Sequence, residues 1–391
     1  MPLFLSFIVL LGFGIVAVYT ASYPKAMTMP EAGFNSFYFT QRQIVFAVIG
    51  LALMFFIIAR PLEWIYRYSY HVYIVTIVLL VMVLVFGRVV HGNQLSIWGI
   101  QPSEFAKVGL ILALSAYLAK YPWRLRSSRG LITGPLPILG LLVVILMLTK
   151  DLGTTLATVA ASVAMLAVAG MKFRFWGLPV LGLLALIGLM LLIGPKALTK
   201  VFGPRADRFA AWMNPEDTSI KESFQPRNSL IAIGSGGLIG RGFCQSRQKW
   251  FYLPGAHNDY IMAVLSEELG FLKLLLFLFL PYMYMVYRAF TIAHRAPDEY
   301  GALVATGCTV MLATQAIINM SVVTNIIPCM GINLPFISYG GSSLVASLLM
   351  AGLLLNVSTM RQVKERKNGE EPAMPPPPAT GSPAARRASA R

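Results

Sequence analysis

Ten long runs of apolar residues, separated mostly by short polar connections, leave this chain few ways to fold. A bilayer core about 30 Å thick is crossed by a helix of about 20 apolar residues. Runs of that order lie near 3–20, 43–59, 70–86, 103–119, 131–148, 152–170, 176–194, 270–288, 302–323 and 338–356. With 57% hydrophobic and only 12% charged residues, against roughly 25% charged in a soluble domain, the chain reads as an all-α polytopic membrane protein of about ten transmembrane helices. The runs are continuous rather than alternating, which favours helices over a transmembrane barrel. No Lys or Arg precedes the first run, so it lacks the basic start of a signal peptide and reads as the first span.

A net charge of +16 raises nucleic acid as a partner, but the distribution of charge argues against it. With a cytoplasmic N-terminus, seventeen Lys or Arg fall in the inner loops and tail and four in the short outer loops. Arg60 and Arg67, Lys120 with Arg124, Arg126 and Arg129, Lys172 and Arg174, Arg288 and Arg295, and the tail from Arg361 all lie inside. This positive-inside bias places both termini in the cytoplasm, whereas a nucleic-acid surface needs one contiguous basic face. Residues 1–360 therefore form the membrane domain, and the basic tail 361–391, with Pro375 to Pro378, is predicted to be disordered. Cys244, Cys308 and Cys329 show no metal or redox spacing.

The parity of the spans puts one long hydrophilic segment, 195–269, on the outer side between spans seven and eight. It is too long for a simple connector, which points to function. Arg205 to Trp212, followed by Asn214-Pro215, reads as a short basic helix ended by a turn. Further on, Gly234, Gly236, Gly237, Gly240 and Gly242 match neither a Walker loop nor a dinucleotide fingerprint. They permit tight turns or close approach of backbone to a ligand. Arg241, Arg247 and Lys249 place three cations outside, where topology does not explain them, and call for an anionic partner at the outer leaflet. A Pro254-Gly255 turn then carries His257, Asn258 and Asp259 into an apolar helix. Asp259 is either an acid stabilised by the helix dipole or a carboxylate beside a cavity, placed to accept a proton.

Smaller loops add polar groups. Arg42 stands where span two begins on the outer side, among interfacial aromatics. Ser103 is a good N-cap for span four and Glu104 suits its positive end, while Lys107 lies one helical turn on, as a snorkelling partner of Glu104 or one half of a polar pair facing an outer cavity. Between spans five and six, Asp151 pairs either with Lys150 or across the bundle. Gln315 and Asn319 in span nine are expected to hydrogen-bond neighbouring helices. Ser338 to Ser343 form a small-residue start to span ten.

Gln101-Pro102-Ser103-Glu104-Phe105-Ala106-Lys107, Asp151-Leu152-Gly153-Thr154, the run 231–238 (IAIGSGGL), Ser246-Arg247-Gln248-Lys249, Leu253-Pro254 with Ala256-His257-Asn258-Asp259, Glu267-Glu268-Leu269-Gly270 and the run 334–343 (LPFISYGGSS) occur in an order that resembles the SEDS family of membrane proteins, the group of FtsW, RodA and SpoVE. The resemblance implies a peptidoglycan glycosyltransferase that polymerises lipid II at the outer face of the bacterial cytoplasmic membrane. Such a protein works with a class B penicillin-binding protein and other division-complex membrane proteins. The family's catalytic aspartate falls on Asp259, and Glu104 and Lys107 match polar residues lining its central cavity. The Ser-Arg-Gln-Lys run is similar to the division branch and implies a place at the septum. Two readings compete: a transporter moving lipid II between leaflets, and the RodA-like elongation counterpart.

In the reaction that this resemblance implies, a sugar hydroxyl of the acceptor attacks the anomeric carbon of the donor, with inversion, and undecaprenyl pyrophosphate leaves. A hydroxyl needs a general base, for which Asp259 is the candidate. The pyrophosphate needs positive charge, from Arg42, Lys107, Arg208 or Arg247 or from a divalent ion such as Mg²⁺ or Mn²⁺. His257 and Ser338 complete the candidate substrate-binding set. The chain departs from the family pattern at Ser96-Ile97-Trp98, in a shortened loop, at Gly255 where glutamate is common, and at Lys150 where proline is usual.

Overall fold

The computed structural model describes residues 2–30, 33–90, 93–96, 100–149, 151–172, 204–216 and 221–370. The run expected to span the membrane at 176–194 lies outside these residues. In chain order the helices are α1 (Pro2–Thr28), α2 (Tyr38–Ile58), α3 (Leu62–Phe86), α4 (Pro102–Lys120), α5 (Pro135–Leu148, preceded by the short turn Ser128–Ile132) and α6 (Leu152–Val168). They continue with α7 (Pro204–Met213), α8 (Phe224–Gly236), α9 (Ile261–Leu274), α10 (Leu280–His294), α11 (Glu299–Val323) and α12 (Gly341–Glu370). Among the described residues, eight helices are long and apolar enough to cross a membrane, and α6 is a shorter apolar one. The expected all-α polytopic architecture is therefore present. Helix α12 runs ten residues past the point at which the sequence placed the start of the tail, at 361. Strands β1 (Arg88–Val90) and β2 (Asn93–Ser96) form a small antiparallel hairpin in the shortened loop before α4.

Helices α4, α12 and α11 occupy the centre, with 89%, 78% and 72% of their apolar windows buried, against 22% for α2 and 28% for α3. Small residues let α4 sit there: a Cβ on Gly109 would lie 2.7 Å from Thr76 Oγ1 of α3, the close approach that packs helices in lipid.

Span eight departs from the hydropathy reading. It begins at Ile261 rather than 270, and Gly270 breaks it with φ 72° and ψ 176° before it resumes through a π-turn, Leu275–Phe279, into α10. The segment before the break is buried from Ile261 to Glu268, so the long polar segment ends inside the protein. A break of this kind orphans the carbonyls of one helical turn and the amides of the next. The stretch after α8 satisfies both: Arg241 N donates to Glu267 O at 2.9 Å and Gly242 N to Glu268 O at 3.0 Å, while Phe271 N and Leu272 N donate to Gly237 O and Leu238 O at 2.9 and 3.0 Å. The exchange needs backbone against backbone. A Cβ on Gly270 would lie 2.2 Å from Gly240 N, and one on Gly240 would lie 2.3 Å from Glu268 O. The glycine cluster thus serves a helix break, and the approach it permits is to the chain itself.

Candidate active site

Asp259 stands at the end of the turn that feeds α9, half-buried, with Tyr260 as the helix N-cap. Its position is set through the backbone. Asn319 of α11 donates from Nδ2 to Asp259 O at 2.8 Å and to Ile332 O at 2.7 Å, joining the turn to the segment 330–332. A Cβ on Gly331 would lie 3.5 Å from Asp259 Oδ2, so that segment forms one wall of the carboxylate's surroundings. Arg208, on α7, and Asp259 both act electrostatically on Tyr260 and Cys329. Burial, the largest cause, raises both the Tyr260 hydroxyl and the Cys329 thiol, which keeps them neutral. Helix α7 is docked by Trp212 Nε1 donating to Asn325 O at 3.0 Å, with Asn325 Nδ2 returning a bond to Trp212 O at 3.3 Å.

His257 and Ser338 hold the other side of the turn. The His257 ring is buried against Phe39 and Tyr339, with centroids 4.9 and 5.7 Å away. Burial, then the charge of Lys25, brings its pKa from 6.5 down to about 3. It is a neutral packing group at ordinary pH and offers no cation to a phosphate. Ser338 Oγ donates to Asn258 O and accepts from Leu334 N, both at 2.8 Å, and Tyr339 N donates to His257 O at 2.9 Å. Gln43 closes the arrangement, donating from Nε2 to Ser338 O at 3.1 Å. Arg42, next to it, is exposed, with its guanidinium 4.7 Å from the centroid of the Tyr38 ring.

Glu104 and Lys107 form an ion pair at 2.7 Å, with Lys107 fully buried. Ser103 is not the N-cap of α4. Gln101 holds that position, and Ser103 Oγ donates instead to Asp151 Oδ2 at 3.1 Å. Of the two alternatives for Asp151, the structure shows the cross-bundle one, while Lys150 lies outside the described residues. Burial raises the Asp151 pKa, and the Glu104 charge adds to this. Hydrogen bonds from Thr154 and the charge of Lys107 oppose it.

The three outward cations have different fates. Lys249 is buried and donates from Nζ to Glu268 Oε1 and Cys244 O at 2.8 and 2.9 Å. Arg241 Nε lies 3.7 Å from Glu267 Oε1. The same Glu267 carboxylate accepts from Ser246 Oγ, Arg247 N and Gln248 N at 2.6, 3.1 and 3.2 Å. Lys249 and Arg241 therefore balance the acids of α9, which corrects their reading as ligands of an outside anion. Arg247 keeps an exposed side chain, but its loop is anchored at Glu267, roughly 10 Å along the helix from Asp259.

Asp259, Arg208 and Asn319 thus converge, and His257 and Ser338 brace them. Glu104 and Lys107 lie near Asp151, in the first turns of α4, and Arg247 stands apart. Sequence reasoning passed over Tyr260, and it left Asp151 open to a cross-bundle partner without naming Ser103. No cluster of three or more His, Cys, Asp or Glu occurs among the described residues. A Mg²⁺ held mainly by substrate phosphates and water needs no such cluster and does not draw on Asp259. A cavity of about 110 Å³ among Leu118, Pro122, Val168 and Glu299 opens at the opposite end of the bundle, away from these residues.

A half-exposed carboxylate and an arginine, set where helix ends meet in an all-helical bundle, define a polytopic membrane protein with a polar site at one end. Residues 1–363 match the family model of FtsW, RodA and SpoVE, described as cell cycle protein, and the chain belongs to this family. It is 40% identical over 364 residues to the stage V sporulation protein E of Bacillus subtilis (strain 168), covering 90% of this chain and 94% of that one. It is 35% identical over 358 residues to a probable peptidoglycan glycosyltransferase FtsW of Geobacter sp. (strain M18), with 90% and 94% covered. Its fold is similar, with a TM-score of 0.73 and 26% identity over 92% of this chain and 97% of the other, to a chain solved in work on the structural coordination of polymerization and crosslinking by a peptidoglycan synthase complex.

Proposed function

We propose that this chain is a peptidoglycan glycosyltransferase of the division type, which polymerises lipid II at the outer face of the bacterial cytoplasmic membrane with Asp259 as general base. The observation that carries this is the place of Asp259: partly buried just before α9, and sharing with the Arg208 charge an electrostatic influence on Tyr260 and Cys329. There it takes the proton from the acceptor hydroxyl as that oxygen attacks the anomeric carbon, a role worth about 100- to 10,000-fold. Arg208 is the cation best placed to meet the leaving pyrophosphate, since it shares Tyr260 and Cys329 with Asp259. Lys107 is partly neutralised by Glu104. A bound divalent ion would supply further charge to the pyrophosphate.

The names of the relatives support the peptidoglycan reaction and, through FtsW, the division role. The neighbour's place in a peptidoglycan synthase complex that coordinates polymerization and crosslinking supports a crosslinking partner. The topology that puts Asp259 outside comes from the basic loops. The test is to purify the chain with its partner, supply labelled lipid II and look for glycan. Polymer from the native protein and none from Asp259→Ala supports the reading. Lipid moved between leaflets with no polymer formed would favour a transporter, a reading to which the buried Glu104, Lys107 and Asp151 also lend themselves.

A further inference from the structure

Asp151 has no part in the chemistry above, yet its polar contacts reach three helices, α4, α5 and α6. Its amide donates to Leu146 O at 3.0 Å, closing the turn between α5 and α6. Oδ1 accepts from Thr154 N at 3.1 Å, capping α6, and Oδ2 accepts from Ser103 Oγ at 3.1 Å, in the first turn of α4 beside Glu104. The start of α6 is in turn pressed onto the segment that seats Asp259. A Cβ on Gly153 would lie 2.3 Å from Ile332 Cγ1 and 3.1 Å from Met330 O. Across that segment, Gly331 faces Asp259 Oδ2, and the Asn319 amide that holds Ile332 O also holds Asp259 O.

We propose that Asp151 is a positioning residue: by bolting the first turn of α4 to the start of α6, it fixes the 330–332 segment and, through it, the placing of Asp259 relative to Glu104 and Lys107. The proposal rests on Asp259 acting as the base. What is required is a polar atom at each end of the fork, and burial favours the neutral form of the carboxyl. Asparagine keeps Oδ1 as acceptor for Thr154 N, and its Nδ2 donates to Ser103 Oγ in a bond of reversed direction, so it replaces Asp151, and alanine does not. A displacement of about 1 Å in a catalytic group costs on the order of 100-fold in rate, and a misplaced base lowers kcat rather than substrate affinity.

The full chain with its partner, in lipid, is examined as Asp151→Ala, Asp151→Asn and Ser103→Ala. Two readouts are taken: kcat and KM for polymer formation, and amide hydrogen exchange across 328–334. Asp151→Ala is expected to lower kcat by about 100-fold, to leave KM within about threefold, and to speed exchange at 330–332. Asp151→Asn is expected to retain native exchange and most of kcat, and Ser103→Ala to fall between them. Native kcat and exchange in Asp151→Ala would overturn the proposal, as would equal damage from Asp151→Asn. Should Asp151→Ala fail to fold, native behaviour of Ser103→Ala would overturn it. If the native protein makes no glycan, the transferase reading fails, and the exchange data alone decide whether Asp151 holds the segment.

Discussion

The buried stretch of α9 carries acids at its C-terminal end and follows one at its N-terminal end, and the two ends treat them in opposite ways. Glu267 and Glu268 sit at the C-terminal end, where the helix dipole disfavours negative charge. They are stable there because Lys249, Arg241, the Ser246 hydroxyl and the 247–248 amides surround them. Asp259 sits at the N-terminal end, where the dipole favours its charge, and it is half-exposed. The seven residues between Asp259 and Glu267 thus separate acids whose partners build the fold from the acid proposed to react. A charged motif residue is read correctly only once its counter-charges are found.

Stability measurements can break that contrast. The largest loss is expected at the helix break. Gly270→Ala places a Cβ 2.2 Å from Gly240 N at a φ of 72°, so the purified protein should lose more than about 4 kcal/mol and give little folded material. A Gly270→Ala protein with native thermal stability would refute the backbone-exchange account. Next comes the buried ion pair. Lys249→Ala leaves Glu268 without its cation and should cost about 3–5 kcal/mol, whereas Lys249→Met with Glu268→Gln should recover much of this. A double variant no better than the single would show that the charges contribute more than balance.

A smaller effect follows acid. His257 binds a proton below 6.5 when unfolded but only below about 3 when folded. In that window the unfolded state holds more protons, so stability rises with pH and is lost as pH falls. Thermal melts between pH 7 and 4 should show this decline, and His257→Phe should flatten it. Smallest of all is Arg247→Ala, expected to change stability by less than about 0.5 kcal/mol because only its backbone is engaged. Its side chain is free to be judged on substrate affinity.

The spans were legible because hydropathy over about twenty residues reports membrane crossing directly, and Asp259 was legible only as a candidate, an acid carried by a Pro-Gly turn into an apolar helix and singled out by the family resemblance. Gly270 was not, since Glu267 and Glu268 made the apolar run read as starting at 270 and φ leaves no trace in hydropathy. The partners of Lys249 and Arg241, Glu268 and Glu267, lie several helical turns away in sequence, so their charges looked available. Asp151 stayed open between two partners because the choice depends on how α4 and α6 pack.

The central claim is that Asp259 reacts while the fold leans on other acids, and Asp259→Asn tests it most directly. Thermal stability and labelled lipid II polymerisation should be measured on the same preparation with its partner. The account predicts a native melting temperature together with a loss of activity of 100-fold or more. Polymer made at the native rate by a stably folded Asp259→Asn protein would contradict it.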